Sequence, residues 1–272
     1  MKLVNQLFSL EDRVIVVAGG AGQIGFSFCT ALADAGAIVI IADVDDEMGR
    51  MKIASSPPEM SGRIHLRKLD VSQPAEIAPF FAEVRRQFKG LYGLINCFHF
   101  KGNTRKLDTS SSFFAEFGSY PPEAWDIVHN VNLRGSFLMS QASLPYLKEN
   151  RNSVIVNVSS TYGNVSPNKS IYGDSGINSP VAYATSKAAI INLTRYMATH
   201  LSEFGVRVNT LSPGGVINNQ SEDFIRNYIN LTPLGRMAEP DDYQGAILFL
   251  MSDASRYMTG SNLIVDGGWT AW

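Results

Sequence analysis

Cysteine is scarce in this sequence: Cys29 and Cys97 are the only two in 272 residues. Two isolated thiols cannot staple a chain of this length, so a disulfide scaffold is excluded and a reducing, cytoplasmic setting is expected. Histidine is nearly as rare. His65, His99, His129 and His200 show no metal-ligand spacing, and no metal is expected. Charged residues make up 18% with a formal net charge of -2, so the basic face of a nucleic-acid partner is missing. No apolar stretch reaches the ~18 residues that a membrane helix needs, and no membrane partner is expected. The first ten residues carry one lysine, no apolar core and no small-residue cleavage site, so they do not read as a signal peptide.

Hydrophobic residues, by contrast, make up 45% of the chain, enough for a substantial core. The length suits one large α/β domain spanning 1–272 and is awkward for two. Apolar runs at 13–19, 37–43, 63–70, 92–97, 153–159, 206–211 and 262–266 read as strands. Amphipathic stretches at 24–35, 74–89, 123–150 (with a bend near Pro145), 181–204, 222–230 and 241–251 read as helices between them. That alternation predicts an α/β fold with a doubly wound parallel sheet. Two stretches, 98–122 and 161–180, break the pattern and are rich in Ser, Gly, Asn and Tyr. Loops this long in a compact domain usually carry function.

The first strand runs into AGGAGQIG at 18–25 and then a helix. Gly19, Gly22 and Gly25 let backbone approach a pyrophosphate, and the free N–H groups around Gln23 and Ile24 at the helix start attract anions. Asp43 closes the second strand 18 residues after Gly25. A carboxylate there bonds a ribose 2′-OH and repels a 2′-phosphate, which favours NAD over NADP. Arg50 and Lys52 are expected on a solvated helix face. Further on, Tyr183 and Lys187 stand four apart on one helical face. A nearby ammonium lowers a phenol's pKa toward the working range, where it can exchange a proton with a substrate oxygen. Such a pair by itself is also common on helix surfaces. Ser160 at the end of the fifth strand and Asn132 in the preceding helix favour the catalytic reading.

Taken in order, AGGAGQIG, Asp43, Asp70-Val71, Ile95-Asn96, VNLRG at 131–135, VNVSS at 156–160, YATSK at 183–187, RVNTLSPGGV at 207–216 and VDGG at 265–268 resemble the short-chain dehydrogenase/reductase family over essentially the whole chain. The resemblance implies a Rossmann fold and hydride transfer between NAD(H) and a secondary alcohol or ketone. It implies Tyr183 as general acid/base, Lys187 tuning it and binding the nicotinamide ribose, and Ser160 on the substrate oxygen. Asn132 would hold a relay water. Asp70 and Val71 would flank the adenine, and Asn96 would brace the fourth strand. Pro213, Gly214 and Val216 would lie under the nicotinamide. The chain departs from the pattern at Gln23, where the family has its middle glycine, and at Asn218, where it has threonine. It departs again at His99, where a small residue is usual. His99 is therefore a substrate-contact candidate, as are Tyr162 and Tyr172 in the second loop, with a loop residue of no chemical role as the alternative for His99. The loop composition suits a sugar-derived or other polar hydroxylated substrate. Segments 212–220 and 232–237 are similar to flagellin-modification and surface-sugar oxidoreductases. A homodimer or homotetramer is expected from the apolar residues of the two long helices. An NADPH-dependent acyl-carrier-protein ketoreductase and a non-catalytic NAD sensor remain as alternatives.

Overall fold

The computed structural model describes residues 2–102, 112–175, 177 and 179–272. Parts of both expected loops, 103–111 together with Gly176 and Asn178, lie outside the described residues. The chain begins with α1 (Lys2–Phe8) and β1 (Val14–Ala18), followed by α2 (Gln23–Asp34), β2 (Ile38–Asp43), α3 (Asp46–Ala54), α4 (Pro58–Ser61), β3 (Ile64–Lys68) and α5 (Pro74–Phe88). Next come β4 (Gly93–Asn96), α6 (Pro122–His129), α7 (Gly135–Leu147), β5 (Val154–Val158), α8 (Val181–Leu201) and β6 (Arg207–Pro213). The chain closes with α9 (Glu222–Asn230), α10 (Gln244–Met251) and β7 (Asn262–Val265).

Among the described residues the strands form one seven-stranded sheet in the order β3-β2-β1-β4-β5-β6-β7, all pairs parallel. The doubly wound α/β domain read from the sequence is the observed one. The central strands are apolar on both faces because helices cover both. Every residue of β1, β4 and β5 is buried. Phe28 and Leu32 of α2 pack with Ile247 and Leu250 of α10 on one face. Phe80 and Phe81 of α5 pack with Met139 of α7 and Met197 of α8 on the other. Chain order reverses between β1 and β4, and parallel register there sets Ala18 beside both Ala42 and Asn96. The glycine turn, Asp43 and Asn96 therefore emerge together at the carboxyl edge of the sheet, where open α/β sheets bind ligands.

The short helices α1, α3 and α4 had no strong periodicity to announce them. The expected helix over 123–150 is interrupted, though not at Pro145, which lies inside α7. The break is a π-helical turn at Asn130–Arg134, between α6 and α7. Its buried Asn132 amide bonds Phe100 on one side and Ser186 on the other, and these lateral contacts hold the widened turn. Trp269 is buried within its own chain, stacked on Tyr228 at 4.2 Å, whereas Trp272 is exposed.

Candidate active site

The turn after β1 requires glycine at two places. Gly19 has φ +81°, and a Cβ there would stand 2.5 Å from the Phe98 amide nitrogen. At Gly25 a Cβ would meet the Gly19 carbonyl at 2.1 Å. With that close packing the turn delivers the chain to α2 with Gly22 as N-cap, and the N–H groups of Gln23, Ile24 and Gly25 have no acceptor inside the helix. Asp43 stands over the same turn. One carboxylate oxygen accepts from the Ala21 N–H at 2.9 Å and the other from the Asp45 N–H at 3.1 Å, which fixes its orientation. Arg50 is a solvated residue paired with Asp46, as expected. Lys52 is not. It is half-buried, and its ammonium donates to the carbonyls of Ala21 and Gly22 at 2.9 and 3.1 Å. Burial lowers its pKa even with Asp43 nearby. The glycine turn is thus clamped from both sides by charged groups, and the sequence spacing of Lys52 alone did not reveal this.

The second half of the site gathers at the carboxyl ends of β5 and β6. Ser159 and Ser160 divide their work. The Ser159 hydroxyl is buried and donates to the Lys187 carbonyl at 2.7 Å, which fastens β5 to α8. The Ser160 hydroxyl accepts from the Tyr162 N–H at 3.2 Å, and it lies near enough to the Tyr183 phenol to lower its pKa. Lys187 is buried one turn further along α8, its ammonium 5.8 Å from the Tyr183 ring centre and donating to the Val158 carbonyl at 2.8 Å. Burial brings its pKa down to about 8. The phenol does not behave as the sequence suggested. Burial raises its pKa, and the Ser160 bond is what works in the opposite direction.

A family model described as enoyl-(acyl carrier protein) reductase matches residues 19–270. Cyclopentanol dehydrogenase of Comamonas testosteroni is 31% identical over 268 residues, covering 96% of this chain and 98% of that protein. The post-translational flagellin modification protein A of Campylobacter coli is 27% identical, covering 96% and 99%. A short-chain dehydrogenase of Leptospira borgpetersenii, solved with NAD+ bound, superposes with a TM-score of 0.81 at 36% identity, covering 96% of this chain and 94% of that one. The chain belongs to the short-chain dehydrogenase/reductase family.

As a member of that family the protein is an oxidoreductase, and its cleft fits a nicotinamide dinucleotide. The two glycines admit no Cβ, and the N–H groups at the start of α2 suit a pyrophosphate. Asp70 receives the Ser72 N–H at 2.9 Å, and Val71 is buried. Asn96 donates to Ser140 and Asn157, while its own side-chain oxygen is buried without a partner among the described residues. β6 ends at Pro213, and Gly214 lies so close to Asp266 that a Cβ would come within 2.8 Å. Val216 bridges to Ala238, and Asn218 is exposed.

The Asn132 side chain accepts from Phe100 N–H at 2.6 Å and donates to the Phe100 carbonyl and the Ser186 hydroxyl. Asn132 thereby pins the segment that carries His99. The His99 ring meets Tyr183 edge-on, 5.9 Å between centres, so this departure from the family pattern does face the catalytic tyrosine candidate. Crowding by the protein, then the Lys187 and Lys101 ammonium groups, hold the imidazole neutral, below the usual histidine range. Tyr162 and Tyr172 are less available than their sequence position implied. Both rings pack against the cluster of Ile171, Tyr228, Met237 and Trp269, and the Tyr172 ring lies on Phe224 of α9. Sequence reasoning also missed Tyr228. Its hydroxyl accepts from the Gly215 N–H at 2.6 Å and so fixes the loop after β6. Both cysteines are free and buried, and burial raises Cys97 to about 12.

Proposed function

We propose that this protein is an NAD(H)-dependent dehydrogenase that interconverts a secondary alcohol and its ketone. The observation that carries the reading is the convergence of Ser160, Tyr183 and buried Lys187 beside a glycine turn topped by Asp43. The bound nicotinamide supplies or takes up the hydride. Tyr183 holds the proton at its phenol oxygen and passes it to or from the substrate oxygen. Ser160 hydrogen-bonds that same oxygen and keeps the phenol turned toward it. Lys187, with a pKa near 8, carries an ammonium that favours the phenolate when the site works near neutrality. Asp43 selects NAD by meeting the 2′-hydroxyl. Lys52 is committed to turn carbonyls, which leaves a 2′-phosphate facing a carboxylate.

For the substrate, His99 is a polar side chain that faces Tyr183, and it supports a hydroxylated or carbonyl-bearing partner able to hydrogen-bond a neutral imidazole. A sugar-derived substrate of a surface-modification pathway is one form of that reading. A less polar cyclic or linear secondary alcohol is the second, favoured by the internal satisfaction of loop polar groups. Asn164 bonds the Ser160 carbonyl and Asn262, and Asn168 caps its own turn. We also infer a cytoplasmic homodimer or homotetramer. Ile127 and Phe137 are exposed on α6 and α7 and form one apolar face with Leu133 and Leu193. Purified protein assayed at 340 nm with NAD or NADP and a panel of polyols, sugar derivatives and cyclic alcohols tests the proposal. Turnover with NAD and at least one secondary alcohol is expected. Equal kcat/KM for both cofactors, or turnover confined to NADPH and acyl thioesters, would overturn it.

A further inference from the structure

Gln23 stands where the family pattern has a glycine, and its side chain is used. It is the first residue of α2, exposed, and its amide nitrogen donates to the Ile217 carbonyl at 2.7 Å. Ile217 belongs to the other side of the cleft. It follows β6 and packs on the small cluster of Ile171, Tyr228, Met237 and Trp269. The loop carrying Ile217 is itself well held. Gly214 N–H bonds Val265, Gly215 N–H bonds the Tyr228 hydroxyl, and Ile217 N–H bonds Ala238. Gln220 closes the far end, accepting from Asn218 N–H and donating to the Val216 carbonyl. The Ile217 carbonyl reaches across to α2 from the stretch between these anchors. The bridge therefore runs from the helix start whose N–H groups suit an anion to the loop that faces it, and crosses the mouth between them.

We infer that Gln23 is a strap over the cofactor cleft, a positioning residue that gates entry and departure of the dinucleotide. The inference rests on the proposal that a nicotinamide dinucleotide lies on the α2 turn. A gate and a simple contact differ kinetically. Opening a gate speeds binding and release together, whereas losing a direct contact speeds release alone. One exposed hydrogen bond can hold such a gate mostly shut, a population shift of about fivefold.

The test uses Gln23→Leu, which keeps the side-chain bulk without the N–H donor, and Gln23→Gly, which restores the family's residue. Stopped-flow fluorescence gives association and dissociation rates for NADH and NADPH. Hydrogen exchange of the cofactor-free protein follows peptides that cover 216–220. The expected result is a rise of about fivefold in both rate constants, a Kd within twofold of wild type, and faster exchange confined to that loop. Unchanged rates and unchanged exchange would overturn the strap, as would faster release with unchanged association, which would mark a direct contact. Failure of the wild type to bind either cofactor would overturn the cofactor reading instead. The exchange measurement would still decide whether Gln23 holds the loop.

Discussion

The two sides of the cleft are assembled differently. On the cofactor side the decisive contacts lie within the first β-α-β unit and its return. Ala21 meets Asp43, Lys52 caps Ala21 and Gly22, and Gly19 packs on the backbone at Phe98. On the substrate side each functional group depends on a distant partner. His99 is set by Asn132, Gly215 by Tyr228, Tyr228 by Trp269, and Tyr172 by Phe224. The first arrangement is backbone geometry between adjacent strands and leaves little room to vary. The second is side-chain packing among the loop over 161–175, α9 and the tail, and it can be rebuilt without disturbing the sheet. A shared fold with divergent substrates follows from that division.

The sharpest way to separate the sides is Tyr183→Phe. Turnover should fall roughly 10³-fold, the scale of losing a positioned acid/base, with NADH affinity within twofold by fluorescence titration. A variant that kept near wild-type kcat would sink the mechanism.

Lys187→Met should lower turnover by roughly 10²-fold and also change stability in a pH-dependent way. The folded-state pKa of about 8 lies below the ordinary 10.5, so the unfolded chain binds more protons between those values. Wild-type stability contributed by this group therefore rises as pH climbs from 8 toward 10.5, and its destabilising effect is complete below 8. The methionine variant should be more stable than wild type at pH 7, by on the order of 3 kcal/mol, and the gap should close near pH 10.5. Denaturant melts at the two pH values check this; a gap that stays constant would contradict it.

Asp43→Ala probes the cofactor side alone. The preference for NADH over NADPH, read as a ratio of kcat/KM, should narrow by roughly tenfold to thirtyfold, about 1.4–2 kcal/mol. No change in that ratio would show that Asp43 does not read the 2′ position.

The smallest effect is expected for Tyr228→Phe, which removes the acceptor for the Gly215 N–H and keeps the stack on Trp269. A loss of about 1 kcal/mol in stability and about fivefold in kcat/KM fits one hydrogen bond. A substantially larger loss in activity than in stability would place Tyr228 among the groups that order the reacting loop.

Much of this was legible in the residues themselves. The seven apolar runs gave the strands to within a few residues because buried parallel strands are apolar on both faces. The glycines, Asp43, Ser160, Tyr183 and Lys187 were legible because turn sterics, strand ends and helical spacing are local properties. What was not legible was long-range. Periodicity placed a bend at Pro145, while the actual interruption is a π turn held by Phe100 and Ser186, partners 32 and 54 residues from Asn132. Lys52 looked like a solvated charge until the fold laid α3 against the glycine turn. Burial, which no spacing reveals, raised the phenol's pKa where a nearby ammonium had been expected to lower it. The sequence by itself determined the sheet and the family and suggested the proposed reacting groups, because backbone sterics and hydrophobic pattern act over a few residues. Only the tertiary structure decided that Gln23 reaches Ile217, that His99 faces Tyr183 and that Tyr172 is spent on Phe224, because those contacts exist only once distant segments pack together.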